Sequence, residues 1–188
     1  KRLDTAKGDA QIQLLNILID RKAASATDAL LAQAASKDPK VCAVALKGLG
    51  RIASPKVLPA IIKLLVKTED GAVRHEAELA VVSVSRRIAN PAEQADDVLA
   101  AIKTADSTPA KCSLLAVLGG IGNAKAFDAV KSAMDTKTPE IQDAAVRALT
   151  VWPNPTATDA LLQIFGTTKN STHRTLALRG IVRILSLD

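Results

Sequence analysis

The side chains best suited to redox or metal chemistry are few: Cys42, Cys112, His75 and His173. Two thiols can form a disulfide, and cysteines with histidines can bind zinc, but such metal sites need closely spaced ligands, as in C-x-x-C or H-x-x-x-H. Neither spacing occurs in this sequence. We therefore expect two free thiols packed in the interior, two surface histidines, and no metal site or cofactor.

Motifs for nucleophilic catalysis are also missing. The sequence contains no G-x-S-x-G motif and no glycine-rich loop that could bind a phosphate. Its one glycine cluster, GGIG at 119–122, lies between two apolar segments, so we interpret it as a turn. We therefore predict no catalytic residue and expect that the chain is not an enzyme.

Four aspartates occupy equivalent positions near the start of amphipathic segments: Asp28, Asp97, Asp128 and Asp159. A carboxylate in the first turn of a helix interacts favourably with the exposed N–H groups and with the helix dipole. Helix stabilisation is the simplest interpretation. The alternative is an acidic ridge that binds a basic partner.

The segments that position these residues form an internal repeat. The sequence ALKGLGRI at 45–52 recurs as ALRGIVRI at 177–184, and AAVRALTVW at 144–152 has the same pattern. Equivalent positions follow at intervals of 31 to 37 residues, namely Ala10, Val41, Val73, Ala110, Ile141 and His173. Apolar residues four and eight positions after each of them define one face of a helix.

A second amphipathic segment follows in five of the six repeats, starting at Asp28, Pro59, Asp97, Asp128 and Asp159. Glycine, proline and asparagine separate the segments, which is typical of helix ends. A two-helix repeat buries its apolar face only by stacking on its neighbours. We therefore predict an all-α fold, an α-solenoid of about six helical hairpins whose last repeat is incomplete.

The repeats have the approximate boundaries 8–37, 38–69, 70–106, 107–137, 138–169 and 170–188, within a single domain over 1–188. Small residues such as Ala45, Gly48 and Ala148 recur where helices would meet, and they predict close helix approach. Neither terminal helix has the polar outer face of a capping repeat. We accordingly expect the chain to be a fragment of a longer protein.

The pattern D-P-x-V-x-x-x-A-L-x-x-L-G at 38–50 resembles HEAT repeats, and the segments 70–77 and 139–149 fit the same consensus. The short, regular spacing is most similar to the bacterial HEAT-like repeats of the phycobilin lyases. The resemblance implies that the second helices line a concave surface. It carries little information on function, because this architecture serves many partners.

On that surface the second helices would place four polar side chains, Lys63, Lys103, Lys131 and Gln163. The third repeat is longer than the others, and its extra length falls around Arg86 and Arg87. Insertions in solenoids map to loops that often bind partners. These six residues are our candidate partner-binding residues, and they would make the groove mildly basic.

Charge and composition narrow the range of functions that this chain could have. The net charge is +6, aromatic residues make up 2% of the chain and tyrosine is absent. No apolar run is long enough to span a membrane. Our preferred interpretation is a non-catalytic scaffold that binds a protein or an adjacent domain.

Two alternatives stay open. One is a module associated with an enzyme, as in the phycobilin lyases. The other is sequence-independent binding of nucleic acid through phosphate contacts. The scarcity of aromatic side chains argues against a chromophore site, and also against base stacking, including the damaged-base site of the related HEAT-like DNA glycosylases.

Overall fold

The computed structural model describes residues 6–22 and 24–186, and their regular structure is entirely helical. The prediction of an all-α solenoid is confirmed. The α-helices are α1 Asp9–Asp20, α2 Thr27–Gln33, α3 Pro39–Ile52, α4 Leu58–Lys67, α5 Gly71–Ser85, α6 Asp96–Thr104, α7 Thr108–Ile121, α8 Ala124–Met134, α9 Pro139–Thr150, α10 Thr158–Thr167 and α11 Ser171–Leu185. Odd-numbered helices are the first helices of the repeats, and even-numbered helices are the second.

The chain divides into two compact units, residues 1–89 with α1 to α5 and residues 90–188 with α6 to α11. The boundary falls in the long third repeat, between its two helices. Short 3₁₀ turns precede four of the second helices, α2, α4, α6 and α10. The prediction of a single domain stays a prediction.

Side-chain caps fix where most first helices begin. The Asp70 carboxylate accepts hydrogen bonds from the backbone N–H groups of Ala72 and Val73, each at 2.9 Å. Asp38, Ser107 and Asn170 cap α3, α7 and α11 in the same way. Four of the turns between repeats therefore provide N-terminal side-chain caps, which satisfy backbone donors that a helix cannot pair internally, whereas Thr138 before α9 makes no such bond.

First helices within a unit pack directly on one another because small residues meet between them. A Cβ atom at Gly119 would lie 2.8 Å from Ala148 Cα and 2.7 Å from Ala148 O. At Gly50 it would lie 3.1 Å from Ala80 Cα. The predicted close approach therefore occurs, with Gly50 and Gly119 as the residues that permit it.

The glycine cluster at 119–122 was only partly a turn. Gly119 and Gly120 lie inside α7, where Gly119 provides space for α9. Gly122 alone adopts the left-handed conformation, with φ of 73°, and ends the helix. Interpreting the whole cluster as a turn was wrong, because a glycine needed for helix packing looks the same in sequence as a glycine needed for a turn.

Second helices within a unit are held further apart than the first helices. A cavity of about 250 Å³ lies at the C-terminal ends of α2 and α4, and one of about 260 Å³ lies at those of α8 and α10. The tightly packed side of each unit is therefore that of the first helices. The expectation that the second helices line a concave surface stays a prediction.

Candidate interaction surfaces

The four polar residues predicted on the second helices are all exposed. Lys63 lies on α4 in the first unit, while Lys103, Lys131 and Gln163 lie on α6, α8 and α10 in the second. Each of these side chains therefore lies on a different helix. Their role in partner binding stays a prediction.

Arg86 and Arg87 follow the end of α5, and the structure gives Arg87 an intrachain role. Its guanidinium donates through Nη1 to Ala53 O at 2.6 Å, and through Nη2 to Gly50 O at 2.6 Å and Arg51 O at 2.8 Å. These are carbonyls at the C-terminal end of α3, which carry a partial negative charge. We therefore leave Arg87 out of the proposed partner surface. Arg86 is exposed.

Arg183 makes the equivalent contact in the second unit, and the sequence analysis missed it. Its Nε donates to Thr150 O at 2.8 Å, and its Nη2 donates to Trp152 O. Both carbonyls lie at the C-terminal end of α9. No shared register position signals the pair, since Arg87 lies 14 residues after Val73 and Arg183 lies 10 residues after His173.

A second set of contacts joins four of the second helices to the next first helix. One register position, the fourth residue after the N-cap (Asp38, Asp70, Thr138 or Asn170), donates a side-chain hydrogen bond to carbonyls just before that helix. The bonds run from Cys42 Sγ to Ala34 O (2.8 Å), from Arg74 Nη2 to Thr68 O (2.7 Å), from Gln142 Nε2 to Met134 O (3.2 Å) and Thr136 O (2.7 Å), and from Arg174 Nη2 to Thr168 O (3.4 Å). We call these four side chains the clip residues.

The cysteines are free thiols, as predicted, and Cys42 is buried while Cys112 is partly exposed. Burial raises the pKa of the Cys42 thiol, and the negative charge of Asp70 raises it further. A raised pKa keeps this thiol protonated, which suits its role as a hydrogen-bond donor and lowers its nucleophilicity.

His173 differs from the predicted surface histidine, because its side chain is only 16% exposed and its Nε2 lies 3.4 Å from Asp143 Oδ1. It lines the cavity at the ends of α8 and α10 together with Gln142 and Ile164. His75 is 67% exposed, as predicted. Among residues 6–22 and 24–186 no cluster of three His, Cys, Asp or Glu side chains could hold a metal ion.

The repeated aspartates are exposed, and three are the second residues of their helices: Asp28, Asp97 and Asp159. Asp128 is the fifth residue of α8, because that helix begins without a preceding 3₁₀ turn. The prediction that all four lie in a first turn was therefore wrong for Asp128. The alternative, an acidic ridge, stays a hypothesis.

An open cleft of about 340 Å³ lies between the first helices α9 and α11. Its lining consists of Arg147, Ser171, Thr172, Thr175, Leu176 and Arg179. Arg147 Nε donates to Asp143 Oδ2 at 2.6 Å, one turn earlier on α9. No sequence motif indicates this cleft, because its lining side chains come from two repeats that only the fold brings together.

A row of exposed apolar side chains runs along α11. Leu178, Val182 and Leu185 are 47%, 56% and 67% exposed, and their spacing places them on one face of the helix. At the equivalent positions of α3 the residues Leu46 and Gly50 are buried. We call this row the α11 end face.

HEAT repeats match this chain over residues 2–82, 27–109 and 95–181. The chain belongs to the HEAT-repeat family. HEAT repeats form helical scaffolds for interaction, so this coarse function follows from the family. No curated protein matches the chain.

Two solved structures resemble this HEAT-repeat chain. The complex of CpcE and CpcF of phycocyanin lyase from Nostoc sp. PCC7120 is 18% identical with a TM-score of 0.54, covering 97% of this chain and 74% of the other. The crystal structure of an engineered protein is 20% identical with a TM-score of 0.50, covering 98% of this chain and 96% of the other. At these identities the likeness shows the fold alone. In the described part of the chain, no helix has both the length and the apolar character needed to cross a bilayer.

The arginine cap on α9 can be tested within one HEAT repeat. Arg183→Ala leaves the carbonyls of Thr150 and Trp152 without that donor, and we expect a loss of about 1–3 kcal/mol in the free energy of unfolding. Arg179→Ala on the same helix is the control, with an expected change within about 0.5 kcal/mol. Urea unfolding followed by circular dichroism measures both, and equal losses would contradict the cap.

Proposed function

We propose that this chain is a non-catalytic HEAT-repeat scaffold that binds another protein, or an adjacent domain of its own chain, through the α11 end face. The observation that carries the proposal is the row of Leu178, Val182 and Leu185, each about half exposed or more. Burying a side chain of this size contributes about 1.5–3 kcal/mol, so a helix that covers the row gains substantial binding energy.

The packing inside the units defines what kind of partner fits this face. Gly50 meets Ala80, Gly119 meets Ala148, and Thr150 meets Gly180, so the residue equivalent to Val182 always faces a glycine or alanine on the next first helix. The proposed occupant is therefore a helical hairpin whose first helix presents a small residue opposite Val182. Its approach continues the stacking already present between α9 and α11.

Site-specific photocrosslinking in the source cells tests this proposal. A photoreactive residue at Val182 should crosslink to a helical segment of another polypeptide or of another part of the same protein. The same residue at Lys131, which is exposed on the second helix α8, should crosslink weakly. Crosslinks at Lys131 and none at Val182 would overturn the end-face proposal in favour of the predicted second-helix surface.

Val182→Asp provides the quantitative test with the crosslinked partner. Because Val182 is 56% exposed, the variant should unfold within about 0.5 kcal/mol of the parent chain. A buried carboxylate opposite an apolar helix should weaken binding by at least about tenfold. Titration calorimetry with the purified partner measures the affinity, and an unchanged dissociation constant would contradict the role of the face.

The two alternative functions, an enzyme-associated module and a nucleic-acid scaffold, predict different results with the same purified protein. A module of the phycobilin-lyase kind should copurify with, or bind, a tetrapyrrole that absorbs visible light. A nucleic-acid scaffold should be retained on heparin and shift DNA at low salt, with an affinity that falls steeply as salt rises. Either result without a Val182 crosslink would replace the scaffold proposal.

A further inference from the structure

The cleft between α9 and α11 carries an inference on the chemistry of the partner. Around the axis of α11, Ser171 and Thr175 lie within about 20° of Val182, and Arg179 lies about 60° from it. The cleft therefore adjoins the α11 end face, toward the N-terminal end of the same helix.

Two guanidinium groups line this cleft, one from each helix. Arg147 is held by its bond to Asp143, which leaves its four Nη hydrogens outside that bond. Arg179 makes no hydrogen bond or ion pair within the described residues, and its side chain is exposed. It thus differs from Arg74, Arg87 and Arg183, whose guanidinium groups bond intrachain carbonyls.

The carboxylates near the cleft are those of Asp143 and Glu140, and neither is paired with Arg179. The Asp143 carboxylate is shared between Arg147 and His173 Nε2, while Glu140 is exposed in the first turn of α9. The helix N-terminus of α11 does not contribute free donors at its cap, because Asn170 accepts from the N–H groups of Thr172 and His173. Among residues 6–22 and 24–186, no carboxylate is therefore paired with Arg179 in the cleft.

The remaining cleft residues suit a polypeptide ligand. The hydroxyl groups of Ser171 and Thr172 can donate hydrogen bonds, the Thr175 hydroxyl already donates to Ser171 O, and Leu176 adds an apolar contact. A volume of about 340 Å³ exceeds that of a single phosphate group and admits a short stretch of chain.

We propose that this cleft binds an extended acidic segment of the partner protein, with one carboxylate on Arg147 and a second on Arg179. Neighbouring helices pack with their axes about 8–10 Å apart. Arg147 and Arg179 hold the same register position on these two helices, six residues after Ile141 and His173. In a polyproline II segment, residues three apart lie on the same face at a spacing of about 9 Å, which is close to that helix separation. The segment would therefore carry acidic residues at positions i and i+3. This inference rests on the proposed function, since it takes the partner to be a protein.

A fluorescein-labelled peptide containing Pro-Glu-Pro-Pro-Glu-Pro, measured by fluorescence anisotropy at about 50 mM salt, tests the proposal with the full chain. The double variant R147Q/R179Q should bind it at least about tenfold more weakly than the parent, because two charge-assisted contacts are lost. The matched double variant K103Q/K131Q removes the same charge from exposed second-helix positions and should change the affinity less than about twofold.

Three results would overturn the proposal. The first is an equal loss of affinity in both double variants, and the second is equal binding of the Pro-Gln-Pro-Pro-Gln-Pro peptide. The third is displacement of the acidic peptide by inorganic phosphate but not by chloride at the same ionic strength, which would indicate a small-anion site. Circular dichroism should show that both variants fold. If the peptide fails to bind while Val182 still crosslinks, the acidic-segment inference falls and the scaffold proposal stands.

Discussion

Replacing Gly119 with valine should destabilise the chain by about 3 kcal/mol or more, the upper range for overpacking a core. A Cβ atom at this position would lie 2.7 Å from Ala148 O, 2.8 Å from Ala148 Cα and 2.9 Å from Ala148 Cβ. Backbone atoms of α9 cannot rotate away as a flexible side chain can, so α7 and α9 must separate. Urea unfolding of the variant, followed by circular dichroism, measures the loss.

Gly166→Ala is the control for this substitution. Gly166 lies near the end of α10, with nothing within 4 Å of the position that a Cβ atom would take. Alanine is favoured over glycine in a helix by about 1 kcal/mol, so this variant should be slightly more stable than the parent. Destabilisation of both variants to the same extent would show that the cost at Gly119 comes from the helix backbone and not from contact with α9.

Truncating Trp152 to alanine should cost about 3–5 kcal/mol, the range for removing a large aromatic side chain from a core. Trp152 is fully buried, and its ring makes a T-shaped contact with Phe127 at a centroid distance of 5.5 Å and an interplanar angle of 76°. The loss should appear as a lower urea midpoint in circular dichroism. Val151→Ala is the adjacent control, because Val151 is 54% exposed and its truncation should cost little.

Trp152→Phe separates packing from hydrogen bonding at the same position. The indole Nε1 is buried and has no hydrogen-bond partner among the described residues. Phenylalanine removes this unpaired donor and keeps an aromatic ring against Phe127, so its cost should be well below that of alanine. If phenylalanine and alanine cost the same, ring packing would not be the source of stability.

The fold could be predicted because it depends on local periodicity. Apolar residues at every third or fourth position, with caps such as Asp38 and Asp70 between them, specify helical hairpins without knowledge of distant contacts. The role of Gly119 could not be predicted, since only the packed structure shows that it faces Ala148. Local sequence thus defined the helices, while the residues that join them became visible in three dimensions.

The candidate surface was predicted less well, for a physical reason. A long basic side chain can reach solvent or a nearby carbonyl, and its sequence position does not distinguish the two. Arg87 bonds the end of α3, whereas Arg179 has no such acceptor in the part of the chain that the structure describes. The predicted lysines on the second helices are exposed, but exposure alone does not make them a binding surface.

The clip residues have a consequence for engineering this protein. A thiol at position 42, an amide at position 142 and guanidinium groups at positions 74 and 174 all donate to the same kind of carbonyl. The position requires a donor of suitable reach and does not require one residue type, so repeats can diverge there without losing their connection. Glutamine transferred from position 142 to position 42 would therefore yield a scaffold whose first unit carries no oxidisable thiol, with its helical junction intact.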